Sequence, residues 1–363
     1  MITKVEIEGY KSIKNQEIDL QNVNILLGGN GVGKSNFVSI FSVLRNIYNH
    51  NFQNYVIKKG GANSLLHYGV KHTQFIKLVI YFNSERDYKN KFIIEIEPSQ
   101  NTLYLKSVKT AFWWKGSWKE KEYEKNVWES KFQENKIGQA FWVNDRLKEF
   151  AVYHFHDTSD TSAMKGMSNL SDNFILKTDA SNLSAFLFYL SQNHPKHFKR
   201  IEITVREIAP FFEKFDLKPN QLNNQTIQLE WKEKNFPEAY FNAFHLSDGT
   251  LRFIALSTLL LQPFPPKTII IDEPELGLHP VAINKLTSLI RKISKKTQVI
   301  ISTQSINLID NFEPDQIIVT NRRNNQTIFK RLKNDELSSW LDEYTLGDLW
   351  GQNKIGAQPY NFR

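Results

Sequence analysis

The chain has 363 residues, 40% hydrophobic and 13% aromatic, enough to bury one large core or two smaller ones, so it is a folded globular protein and not a disordered one. Its 46 Lys and Arg against 38 Asp and Glu give a net charge of +8 and an isoelectric point near 9.2, which suits either a nucleic-acid partner or the bias of a Lys/Asn/Ile-rich proteome. The absence of cysteine excludes disulfides and cysteine-based zinc sites or nucleophiles, and no apolar run approaches the ~20 residues that span a bilayer.

The opening MITKVEIEGYKSI alternates apolar and charged residues, which predicts a strand and not a signal peptide, and with it a cytoplasmic location and no membrane partner. Residues 22–28, NVNILLG, read as a short buried strand. The next stretch, Gly28-Gly29-Asn30-Gly31-Val32-Gly33-Lys34-Ser35, satisfies G-x-x-x-x-G-K-[ST] in full. Phe37, Ile40, Phe41, Leu44 and Ile47 then recur at helical spacing. Strand, glycine loop and helix form the setting in which backbone N–H groups converge on phosphates and the helix N-terminus adds positive potential. Gly28, Asn30, Gly31, Gly33, Lys34, Ser35 and the adjoining Asn36 are therefore the candidate residues for binding ATP, with Lys34 reaching the β- and γ-phosphates and the Ser35 hydroxyl ligating Mg²⁺.

Residues 75–83, FIKLVIYFN, predict a strand that extends an antiparallel sheet, and close a first lobe at 1–83. Residues 84–240 read as an inserted α+β region, with strands at 91–99, 102–108 and 150–156 and helices at 181–192 and 196–215. No internal repeat or long heptad run is present, so no coiled-coil arm is expected. Four tryptophans among alternating charges at 111–133 predict an amphipathic hairpin or a protein interface, since the glutamates there would repel phosphate. His154 and His156 share a strand face and, with Asp157, have the residue types of a metal site. No third ligand is in view, which favours a polar strand end entering a turn capped by Asp157 and Thr158.

A second lobe is expected over 241–332, followed by a tail at 333–363. HLSDGTLRFIALSTLLLQ, residues 245–262, opens a helix capped by Ser247 or Asp248, its apolar face including Leu251, Ile254, Ala255, Thr258 and Leu259. The β-branched run 268–271 predicts a central parallel strand that ends at Asp272 and Glu273. Asp272 is placed to hold Mg²⁺, directly or through water, and Glu273 to polarise the attacking water as general base. The helix from 280 carries Lys285, Arg291, Lys292, Lys295 and Lys296 opposite an apolar face of Val281, Leu286, Leu289, Ile290 and Ile293, which makes DNA a candidate partner beside the plainer reading of a solvated helix end. Residues 315–332 predict a hairpin and 340–350 a short Trp-bearing helical segment.

LSDGT at 246–250 resembles the signature motif of ABC-type ATPases, LSGGQ in its commonest form, and lies between the glycine loop and the Asp-Glu strand in that family's order. ELGLHP at 275–280 resembles its D-loop, and VIISTQS at 299–305 its last strand and switch loop. The resemblance implies an α/β fold, an ABC-type P-loop head with a mixed sheet flanked by helices plus an antiparallel lobe. It implies that Ser247, Asp248 and Gly249 of a second subunit close on the γ-phosphate, making a head-to-tail homodimer. Gln304 stands where the family usually carries His; an amide can sense the γ-phosphate but cannot carry a proton, which implies slow turnover. Gln74 is the candidate Q-loop residue. The opening, in which an N-terminal strand, the Tyr10-Lys11-Ser12 turn, a second strand and the glycine loop follow one another closely, resembles the RecF/SMC-like branch. Residues 246–305 together with WLDEYTLGDLW at 340–350 are similar to the small prokaryotic ATPases related to overcoming-lysogenization-defect proteins. Relatives there imply the ATPase and sensor subunit of an anti-phage defence system, or else a RecF-like DNA clamp. The tail is too short for an appended TOPRIM nuclease, so the resemblance implies that any nuclease or toxin is a separately encoded effector.

Overall fold

The alternation at the N-terminus produces strand β1 (Ile2–Tyr10), whose Ile2, Val5 and Ile7 are buried; the step of three between the first two coincides with a register shift in its pairing. In the computed structural model, which describes residues 1–83 and 89–356, there follow β2 (Ile13–Asp19), β3 (Val23–Leu27), β4 (Ile76–Asn83), β5 (Lys89–Ser99), β6 (Thr102–Trp114), β7 (Ser117–Val127) and β8 (Phe150–Tyr153). Next come β9 (Ser168–Asn169), β10 (Phe212–Phe215), β11 (Thr226–Ile227), β12 (Glu230–Glu233) and β13 (Phe236–Asn242). The last four are β14 (Thr268–Asp272), β15 (Gln298–Thr303), β16 (Ile317–Arg323) and β17 (Gln326–Arg331). The start of the predicted inserted region, 84–88, and the end of the predicted tail, 357–363, lie outside the described residues.

The chain divides into two units. The first comprises Met1–Val152, Lys267–Ile270 and Gln298–Arg363. It holds an antiparallel sheet in the order β2-β1-β4-β5-β6-β7 and a mixed sheet in the order β17-β16-β3-β15-β14-β8. In the mixed sheet β3 runs parallel to both β15 and β16, and β17 closes one edge antiparallel. Such a central strand is buried on both faces and reads as a near-continuous apolar run, and β3 is buried throughout and apolar except at Asn24. The helix Lys34–Tyr48 presents Phe37, Ile40, Phe41, Leu44 and Ile47, each at most 1% exposed, to one apolar cluster shared with β1, β4, β5 and β6. Burial of each such side chain is worth about 1.5–3 kcal/mol, which fixes the helix at its loop end. Gln298 ties the same unit together: its amide accepts from Ile2 N–H at 3.1 Å and donates to the carbonyls of Ile2 and Gln21 at 2.7 and 2.9 Å. The tryptophan segment forms the β6–β7 hairpin, with Trp113 opposite Trp118.

The second unit comprises Tyr153–Pro266 and Ile271–Thr297. Helix Asp248–Leu261 packs against Pro195–Ile208 and Pro280–Ile293, and every residue from 250 to 260 is buried, not only the apolar face the sequence marks. Small sheets β10-β12-β13 and β9-β11 complete it. The predicted helix over 196–215 stops at Ile208, because Pro210 has no N–H and drives Ala209 into extended geometry; residues 212–215 become β10 instead. The predicted strand 150–156 ends at Tyr153. Val281, assigned to the packed face of its helix, is 58% exposed. Among the described residues the longest helix has 15 residues, and none is long and apolar enough to cross a membrane.

Candidate functional site

In the first unit the parallel pairing of β3 with β15 sets Leu27 opposite Thr303, and the Gly28 N–H donates to the Thr303 carbonyl at 3.4 Å. The glycine loop therefore leaves the sheet one residue from Gln304, which is half-buried at the matching end of β15. A local motif and a residue 276 positions later in sequence are brought together by two hydrogen-bonded strands.

The loop is seated on β17. At Gly33, φ +113°, a Cβ would lie 2.1 Å from Thr327 Oγ1, so only glycine fits. Thr327 Oγ1 donates to the Val32 carbonyl at 2.7 Å and lies 2.6 Å from Ser12 Oγ, to which Asn36 Nδ2 also donates at 2.6 Å. Asn36, a candidate nucleotide contact, is thus engaged by the Tyr10-Lys11-Ser12 turn. Lys11 donates to Ser39 Oγ at 3.1 Å; burial first, then the charge of Lys59, push its pKa down to about 8. Sequence reasoning missed Thr327 because a threonine on a hairpin strand carries no local signal.

The loop's outer side is open. Asn30, Gly31 and Ser35 are exposed, and nothing lies within 4 Å of the position a Gly31 Cβ would take. The helix from Lys34 has neither a side-chain cap nor an acidic residue in its first turn, leaving its N-terminal N–H groups and positive potential for an anion. Lys34 is 4% exposed, its ammonium donating to the Gly28 and Gly29 carbonyls at 2.7 and 2.9 Å. Open N–H donors at an uncapped helix end with a lysine behind them are the features a phosphate seat requires. Gln74, by contrast, is spent on its own loop, donating to the Val70 carbonyl at 2.9 Å.

The second unit holds the other residues. Asp272 ends β14 half-buried, and Glu273 follows with φ +41°, a left-handed conformation that a non-glycine residue adopts at a cost of roughly 1–3 kcal/mol. Strain of that size persists where the surroundings hold it. Here Leu276 N–H bonds the Glu273 carbonyl and Leu278 N–H bonds the Glu275 carbonyl, at 3.3 and 3.0 Å. Ser247 caps its helix, Oγ accepting from the Thr250 N–H at 3.2 Å, yet remains exposed with Asp248 while residues 250–260 of the helix are buried. The Asp248 carboxylate lies 3.8 Å from the Lys165 ammonium. At Gly249 a Cβ would stand 2.3 Å from the Gly277 carbonyl oxygen, so the helix tip and the 275–280 turn touch backbone to backbone.

Arg252, which sequence reasoning passed over, holds this half together. Its Nε donates to the Phe155 carbonyl at 2.8 Å and its two Nη groups to the carbonyls of His156 and Leu276. Burial lowers its pKa, and the Asp248 charge partly restores it. Asp157 is the turn cap the sequence suggests, accepting from Ser159 N and Oγ. The two histidines before it have a third ligand-type group nearby: one possible donor atom each of His154, His156 and Asp272 lie within 4.8 Å of one another. On the basic helix Lys285 is ion-paired with Glu207, while Arg291, Lys292, Lys295 and Lys296 are exposed.

The family model described as "AAA domain, putative AbiEii toxin, Type IV TA system" matches residues 23–310, a span that holds the loop, the signature-like tip, both carboxylates and Gln304. Shorter stretches match curated proteins. "ATP-binding cassette sub-family A member 6" of Homo sapiens is 30% identical over 124 residues, 33% of this chain and 7% of that protein. The "Energy-coupling factor transporter ATP-binding protein EcfA" of Methanocaldococcus jannaschii is 36% identical over 66 residues, 18% of this chain and 23% of that one. The matched stretches thus span less than a quarter of either relative. Among solved structures, an SmcHead bound to the C-winged helix domain of ScpA superposes with a TM-score of 0.63 at 17% identity, covering 93% of this chain and 99% of that one. An Smc head domain with an extended coiled coil, bound to the C-terminal domain of ScpA derived from Pyrococcus furiosus, gives 0.60 at 16% identity over 94% and 98%. The fold is therefore an α/β P-loop ATPase head like those of SMC proteins, without a coiled-coil arm among the described residues.

Proposed function

The chain belongs to this AAA-domain family, among ABC-type ATPases, and from that premise we propose that it binds and hydrolyses ATP and uses the triphosphate to clamp two copies head to tail. The observation that carries the reading is the open glycine loop: a buried Lys34 behind it, an uncapped helix end beneath it and Gln304 one residue from its start. Lys34 and the loop N–H groups hold the β- and γ-phosphates. Ser35 and Asp272 supply oxygen ligands of the kind Mg²⁺ takes, and the ion, when bound, neutralises charge on the phosphates. Glu273 accepts the proton of the attacking water, and Gln304 hydrogen-bonds the γ-phosphate without acid–base work, so turnover is slow.

Ser247 and Gly249 of a second copy close on the γ-phosphate from the opposite side. Support comes from the exposure of Ser247 and the half-burial of Gly249 at the tip of a helix that is buried from 250 to 260, a helix N-terminus offered outward. Hydrolysis removes the shared contact and parts the pair, and this change of state is the output. The output acts on a separately encoded nuclease or toxin, with the chain as the ATPase and sensor of a prokaryotic anti-phage system of the overcoming-lysogenization-defect kind. The toxin–antitoxin wording of the family description and the protein-bound state of the SMC heads support a protein effector. The alternative, a RecF-like DNA clamp, is favoured by four exposed bases, Arg291 and Lys292 in the last turn of helix Pro280–Ile293 and Lys295 and Lys296 just past it.

Light scattering at saturating ATP tests the clamp. Glu273→Gln should accumulate as a dimer and Lys34→Ala should stay monomeric; if both remain monomeric, the two-copy clamp is wrong. DNA-stimulated hydrolysis that falls steeply with salt would move the reading to the DNA clamp.

A further inference from the structure

We propose that His154, His156 and Asp272 form a binding site for a divalent transition-metal ion, zinc(II) being the occupant their chemistry fits best. Sequence reasoning saw the two histidines without a third ligand; the mixed sheet supplies it. Strands β8 and β14 are neighbours, so the chain leaving β8 at Tyr153 runs beside the end of β14 at Asp272. The two imidazole centroids lie 6.1 Å apart, with a ring nitrogen of each near the carboxylate, while Phe155 between them in sequence is 3% exposed.

One ligand atom from each residue lies within 4.8 Å of the other two. With metal–ligand bonds of about 2.0–2.2 Å, tetrahedral ligand atoms stand roughly 3.3–3.6 Å apart. Two solvent-facing imidazoles reach that spacing by small side-chain rotations. The backbone beneath them is pinned at three points. His154 N–H donates to the Thr178 carbonyl at 2.9 Å, and Arg252, itself 7% exposed, donates to the carbonyls of Phe155 and His156 at 2.8 and 3.0 Å. Ligands on a fixed backbone lose little freedom when they bind.

The donor set chooses the ion. Two imidazoles and one carboxylate suit zinc, cobalt(II) or iron(II), with a position left for water; magnesium is a hard ion that takes oxygen ligands. Asp272 is also the carboxylate assigned to magnesium in hydrolysis. A transition-metal ion seated on the histidines therefore engages a residue that ATP turnover needs and restrains it. That consequence rests on the proposed function; metal binding itself does not.

The test uses the full chain, stripped with a chelator and free of nucleotide, titrated with Zn²⁺ against a chromophoric competitor and with Co²⁺ followed by its visible d–d bands. One Zn²⁺ per chain is expected. His154→Ala and His156→Ala should each weaken it by at least about tenfold, the double substitution should abolish it, and Asp157→Ala should leave it unchanged. Absence of zinc binding, or equal affinity in the double-histidine variant, overturns the site. Circular dichroism checks that the variants are folded, which substitutions of solvent-facing side chains should preserve. In a second arm, Zn²⁺ at the concentration that saturates the site should slow Mg²⁺-dependent ATP hydrolysis in the wild type and not in the double variant. A wild-type rate unchanged by Zn²⁺ at the concentration that fills its site would overturn the restraint, and no hydrolysis under any condition would overturn the proposed function while leaving the zinc site standing.

Discussion

Gly249→Ala gives a signed test of how the signature-like helix is seated. The glycine is in the first turn of helix Asp248–Leu261, and a Cβ there would meet the Gly277 oxygen at 2.3 Å and the Gly277 carbonyl carbon at 3.3 Å. Both are main-chain atoms, and ordinary contact begins near 3.4 Å, so one backbone must retreat by roughly 1 Å. The 275–280 turn is not free to do so, because Arg252 of the same helix holds its Leu276 carbonyl. Overpacking of this kind costs about 1–3 kcal/mol. At about 2–4 °C per kcal/mol for a body of 150–250 residues, Tm should fall by roughly 2–12 °C. At an unobstructed helical position the same substitution would gain about 0.5–1 kcal/mol and raise Tm. The assay is differential scanning calorimetry without nucleotide, with light scattering at saturating ATP as the functional readout, where dimer should be lost as the tip moves. A Tm equal to or above wild type would refute the backbone contact.

Two further outcomes are expected. Gln304→Ala should lower kcat by roughly 10²-fold, as loss of a hydrogen-bond donor to developing charge does, with little change in KM; Gln304→His should add a pH dependence near the ordinary imidazole range, and an Ala variant as fast as wild type would remove Gln304 from the site. Lys11 has a folded-state pKa of about 8 against an ordinary 10.5, so between those values the unfolded chain keeps a proton the folded chain has released, and stability due to this residue rises with pH across that window. The difference in urea midpoint between Lys11→Met and wild type should therefore shrink from about pH 8 upward, and a difference independent of pH would contradict the burial of this ammonium.

The glycine loop was legible because eight contiguous residues, a preceding apolar strand and a following helical period all lie within about thirty positions, where local geometry is nearly dictated by sequence. The run 268–271 ending in Asp272 was legible for the same reason, as was the capped helix after Ser247. The helix over 196–215 was overextended because its apolar period continues past Pro210, and only the missing N–H and ring of that proline stop it.

What the sequence by itself determined is the set of local parts: a phosphate-binding loop, a carboxylate pair at a strand end, a capped helix and the order that joins them. The tertiary structure decided who meets whom. Strand pairing set Gln304 beside the loop's first glycine, a hairpin threonine under Gly33, and Asp272 next to two histidines more than a hundred residues earlier, while helix packing set Glu207 on Lys285. No periodicity records such meetings, because they depend on which strands and helices are neighbours, and that is fixed only when the whole core packs.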